Sequence, residues 1–171
     1  HKAQIAHQKM LWDKMTIYSD FFGTKSELLS KYEKLKEFDT YIATDEKKLN
    51  EIKNYIDQFS SNLPEPIMTS LKNDVAKMFN EHERFKNALQ KIQKEIDDRL
   101  EMWKIYQENC DKLAQLLDET ENNLKGFSFK PTLEEKREMQ KHFHGIYTNL
   151  KEHENDFDSL SDKASDLIQS C

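Results

Sequence analysis

The stretch RLEMWKIYQENCDKLAQLL, residues 99–117, contains neither glycine nor proline. Its apolar residues Leu100, Trp103, Tyr106, Cys110, Leu113 and Leu117 recur at steps of three and four, the spacing of one helical face. The nearest helix breakers are Pro66 on one side and Gly126 on the other. Nothing between Ile67 and Lys125 ends a helix, which predicts an uninterrupted span of roughly 88 Å. A helix of that length needs packing partners along its whole seam. Its apolar side is Ile67, Leu71, Val75, Met78 or Phe79, His82, Phe85, Leu89, Ile92, Ile96 and Leu100, then the residues named above, and finally Leu124.

The partners lie on either side in the chain. Upstream, Ile5, Met10, Leu11 or Trp12, Met15, Tyr18 and Phe22 predict a first helix ending near Phe22, before Gly23. Thr24 is placed to cap the next helix, with Glu27 completing a capping box. That second helix runs to Phe59, with a heptad seam at Leu28, Tyr32, Leu35, Phe38, Ile42, Leu49, Ile52, Ile56 and Phe59. SSNLPEP, residues 60–66, turns the chain. Downstream, GFSFKPT, residues 126–132, predicts a loop, with Gly126 closing one helix and Thr132 opening the next.

The last helix repeats the second. Leu35, Phe38, Ile42, Leu49, Ile52, Ile56 and Phe59 align without a gap on Phe143, Ile146, Leu150, Phe157, Leu160, Ala164 and Leu167, an offset of 108 residues. The polar exception in the seam also recurs, as Asp45 and His153. LWDKM at 11–15 parallels LLDET at 116–120 more loosely. The helix order is therefore A, B, C, A, B, with C running directly into the second A.

This order resembles the spectrin repeat, a left-handed three-helix bundle joined to the next by a continuous C-to-A helix. LAQLLDETE carries the pattern of the end of helix A, with Leu116 where the family most often has Trp. His142 in QKHFHGIY stands at the helix-B histidine, and Phe79 best matches the helix-C Trp. The resemblance implies an all-α fold of tandem spectrin-like three-helix bundles, the second lacking its third helix. The expected boundaries are 1–103 for one repeat, with helices at about 3–22, 25–59 and 66–103. A partial repeat follows at 104–171, with helices at about 104–125 and 133–171. Divergent repeats of this kind resemble those of giant cytoskeletal linkers, nesprins first, with dystrophin relatives and spectraplakins as alternatives.

Composition agrees with long helices. Apolar residues make up 36 % and charged residues 34 %, with three glycines and three prolines. The net charge of −6 comes from 26 basic and 32 acidic residues that are interspersed. No basic face exists for nucleic acid or for direct binding to an anionic membrane. No apolar run spans a bilayer and no signal peptide is present. Cys110 and Cys171 form no framework, so a reduced, cytoplasmic chain is expected. The first residue is not Met, which predicts a piece of a longer protein.

Catalytic constellations are missing from the sequence. His142 and His144 point about 200° apart on a helix and cannot clamp a metal. Asp97 and Asp98, or Glu134 and Glu135, have the spacing of solvated faces and helix-end electrostatics. No phosphate loop or nucleophile elbow occurs. The expectation is no enzyme activity, no metal and no cofactor.

The residues expected to matter are structural, at the junction between repeats: Trp103, Tyr106, Phe127, Phe129 and Leu63. Phe127 and Phe129 are expected to pack over the loop SSNLPEP and stiffen the junction. The function implied is a rod segment and interaction scaffold of a cytoskeletal linker, connecting actin to the nuclear envelope through domains elsewhere. Cytoskeletal partners are implied, actin or an actin regulator such as a formin. Homodimerisation or helix swapping through the incomplete second repeat is a further expectation. The competing readings are a BAR-like membrane module, which lacks the required basic face, and a dimeric coiled-coil tether, which the loop at 60–66 opposes.

Overall fold

The computed structural model describes residues 2–59, 63–125, 128–129 and 131–169. Five helices follow in order: α1, Lys2–Thr16; α2, Lys25–Gln58; α3, Glu65–Lys125; α4, Leu133–Glu152; and α5, Glu154–Gln169. No strand occurs among the described residues, and the fold class is all-α. The chain divides into two compact units, His1–Leu100 and Glu101–Cys171.

Unit one brings together α1, α2 and the first part of α3. Thr24 caps α2: its hydroxyl accepts from the Glu27 N–H, and the Glu27 carboxylate accepts from the Thr24 N–H at 2.7 Å. Leu28, Leu35, Ile42 and Leu49, seven residues apart, are buried along α2, with Phe38 between them. On α3, Met68, Val75, His82, Leu89 and Ile96 are buried at the same interval of seven, with Met78 and Phe85 between. Each fully buried Leu or Ile of these seams contributes about 1.5–3 kcal/mol relative to exposure. α2 and α3 run antiparallel, since Phe38 meets Phe85 while Gln93 reaches the Leu35 carbonyl. α1 lies against both: Trp12 on Phe85 and Gln8 on the Met78 carbonyl join it to α3, and His7 beside Asp45 joins it to α2.

Three details depart from the sequence pattern. The first helix stops at Thr16 instead of continuing to Phe22. The Ile17 and Tyr18 amides close on the carbonyls of Lys14 and Met15, three residues back, which tightens and ends the helix. The start of the α3 seam falls on Met68, while Ile67 is half exposed. Pro64 caps this start, its carbonyl accepting from the Ile67 and Met68 amides, and Pro66 sits in the first turn, where no N–H is needed. The last helix is interrupted at His153, which separates α4 from α5.

Unit two pairs the remainder of α3 with α4 and α5. The Thr132–Glu135 capping box opens α4, repeating the Thr24–Glu27 arrangement. The two strips run antiparallel: Leu113 and Leu116 share a cavity with His153 and Ser159, whereas Thr120 and Asn123 share one with His142 and Gly145. Leu113 and Leu167 are buried. The other seam residues, Phe143, Ile146, Leu150, Phe157 and Leu160, are half-buried. Of their counterparts in unit one, Leu35, Phe38, Ile42 and Leu49 are buried, with Leu35 and Leu49 at 0 % exposure, whereas Ile52 is exposed.

Candidate functional site

The predicted junction residues occupy helix and loop positions of differing burial. Trp103 and Tyr106 are half-buried on α3, one turn apart, with rings edge-to-face at 6.2 Å. The Tyr106 hydroxyl holds its proton more tightly than an ordinary phenol because it hydrogen-bonds the Cys110 thiol. Between Ile96, fully buried, and Leu113, the residues at helical spacing are half-buried, and Met102 and Ile105 are exposed. Leu63 is 39 % exposed before α3, and Phe129 is 90 % exposed before α4. Phe127 lies outside the described residues.

Upstream of this strip, Arg99 of α3 holds the loop that follows α1. Its guanidinium lies 5.6 Å from the ring centroids of both Phe21 and Phe22. Lys31 of α2 ties the same loop by donating to Asp20 and to the Phe22 carbonyl. Gly23 closes it at φ +130°, where a Cβ would stand 2.9 Å from a Glu27 carboxylate oxygen. The sequence pattern gives the glycine but not the clasp, because it joins residues far apart in the chain.

A second feature was visible in the sequence only as an exception. Asp45 interrupts the apolar seam of α2 and is 2 % exposed. The His7 Nε2 on α1 lies 3.3 Å from its Oδ2. Lys48 Nζ stands 4.0 Å from Oδ1, with its own side chain more than half exposed. Among the described residues His82 on α3 is the other buried polar residue, and its Nε2 has no hydrogen-bond partner.

At the equivalent place in unit two, His153 Nδ1 contacts the carboxylate of Asp156, three residues on in α5, at 2.7 Å. It lines a cavity of about 320 Å³ with Lys112, Leu113 and Asp156. Among the described residues, no group of three or more His, Cys, Asp or Glu side chains is placed to hold a metal. No helix among them is long and apolar enough to cross a membrane. What these surfaces offer is packing and pairing of helices.

The chain is 35 % identical over 169 residues to a Drosophila melanogaster protein, Muscle-specific protein 300 kDa. The match is to a giant muscle protein. It covers 99 % of this chain and 1 % of that protein's length, so the similarity is to one short stretch of it. No protein-family model matches the chain, and no solved structure matches it.

Proposed function

We propose that the chain is a segment of a spectrin-repeat array, acting as a rod and interaction scaffold in a giant cytoskeletal linker of nesprin type. The observation that carries this reading is the 108-residue repeat, which sets one apolar seam and one polar exception twice in the same order. A sequence match of 35 % identity to one stretch of a giant muscle protein supports it. In this reading unit one is a whole repeat and unit two is a repeat whose third helix is supplied by further chain. That helix covers Phe143, Ile146, Leu150 and Phe157 as α3 covers their counterparts. Trp103, Tyr106, Phe127, Phe129 and Leu63 form the junction, and α3 carries load from one repeat to the next. Partners are cytoskeletal, actin or an actin regulator such as a formin. The setting is the cytoplasm and its cytoskeleton, including the cytoplasmic face of the nuclear envelope.

The mechanical claim is tested by pulling the chain, lengthened by its next helix, in an optical trap. Two reversible events are expected, each releasing about 100 residues, roughly 350 Å of contour. A single all-or-none event of the summed length would refute independent repeats, and unfolding without resistance would refute a load-bearing role.

A further inference from the structure

Asp45 is buried where the heptad pattern of α2 calls for an apolar side chain, between Ile42 and Leu49. A buried carboxylate without a donor is costly, so the position tolerates only certain neighbours. Lys48 reaches Oδ1 from the solvent side at 4.0 Å. The partner at Oδ2 comes from α1: His7 Nε2 stands 3.3 Å away. Against α3, Gln8 at the Met78 carbonyl and Trp12 edge-on to Phe85 also locate α1, whereas Leu11 and Met15 make apolar contacts, which are non-directional. Sliding α1 by four residues would set Ala3 or Leu11 against Asp45 and remove the donor.

Unit two treats the same layer differently. The 108-residue register places His153 at Asp45, and the LWDKM–LLDET alignment places Lys112 at His7. Lys112 and His153 do line one cavity, so the two positions face each other in both units. There the acid of the second helix is replaced by an imidazole, whose partner, Asp156, lies three residues on in the first turn of α5.

We propose that Asp45 selects the helix that lies on α2 and α3: it admits a helix with a hydrogen-bond donor at this layer and fixes its register. The histidine at the same layer of unit two withdraws that acceptor, so α1 is matched to unit one. The inference rests on the repeat register and is independent of any cytoskeletal role.

Amide hydrogen exchange on the full chain tests it. Asp45→His is expected to lower protection of the α1 amides, residues 8–16, by about tenfold or more while the Leu89 and Ile96 amides keep theirs. Adding His7→Glu should restore the α1 amides, because the imidazole–carboxylate pair is re-formed with its partners exchanged. Asp45→Leu should keep or raise the melting temperature, yet split the NMR signals of Leu11 and Met15 between registers. Unchanged α1 protection in Asp45→His, or no recovery in the double variant, would overturn the proposal. If Asp45→His does not fold, Asp45→Leu decides: single sharp α1 signals would overturn the proposal, and split signals would support it.

Discussion

Trp12 of α1 meets Phe85 of α3 edge-to-face, with ring centroids 5.3 Å apart, and Phe38 of α2 lies 6.1 Å from the same Phe85. One phenylalanine, 4 % exposed, thus joins all three helices of unit one. Phe85→Ala is expected to destabilise unit one by about 3–5 kcal/mol. A double-mutant cycle with Trp12→Ala should return a coupling of about 0.5–1.5 kcal/mol. Chemical denaturation followed by circular dichroism measures both, and zero coupling would mean that the ring contact is incidental.

The two described glycines call for opposite outcomes from one substitution. Gly23→Ala forces a side chain onto φ +130° and against the Glu27 side chain that caps α2. It should cost about 1–3 kcal/mol. Gly145 lies inside α4 with nothing within 4 Å of a built Cβ. Gly145→Ala should therefore stabilise unit two by about 0.5–1 kcal/mol. Thermal denaturation of the two variants checks the signs.

The first capping box predicts a pH response. Hydrogen bonds from the Thr24 backbone N–H and hydroxyl hold the Glu27 carboxyl below its ordinary value of 4.5. A carboxyl depressed on folding contributes stability that is complete above its unfolded-state value and is lost as pH falls through the folded-state value. An NMR titration should therefore place the Glu27 midpoint below 4.5, and Thr24→Ala should return it toward that value. At neutral pH, Thr24→Ala should cost about 1 kcal/mol. A midpoint indifferent to Thr24→Ala would contradict the assignment.

Trp103→Pro tests the helix of α3 just past residue 100. Proline inside α3 removes an amide donor and clashes with the preceding turn, at a cost of about 3 kcal/mol or more. The melting temperature should fall, and amide protection should be lost around residues 99–107. Trp103→Phe, which keeps an aromatic ring and the helix, should leave that protection in place.

Much of this was legible in the sequence because it is local. Gly23 and Pro64 stand at helix entries, Pro66 sits in the first turn of α3, and the capping box at Thr24 follows from residue type and spacing. The seam of α2 was readable from Leu28 to Leu49 because heptad steps are a one-dimensional signal, but Ile52 and Phe59, which the same steps place in it, are exposed. What was missed depends on contacts between distant residues. The choice of Met68 over Ile67 is set by how the Pro64–Pro66 entry phases α3. The early end of α1 goes with a loop clasped by Arg99 and Lys31, which no local pattern encodes. Asp45 was visible as a polar exception, but its partner His7 appears only when two helices are brought together. The interruption at His153 had the same single trace, a polar residue in an apolar seam.

The central claim is that α3 passes from unit one into unit two as one helix. Residue-resolved amide hydrogen exchange across residues 97–112 tests it most directly. A continuous helix predicts protected amides throughout, from the Ile96 layer to the Leu113 layer, without a gap. Exchange at unstructured-chain rates over residues 101–108, with protection on both sides, would show two helices joined by a flexible link and would contradict the account.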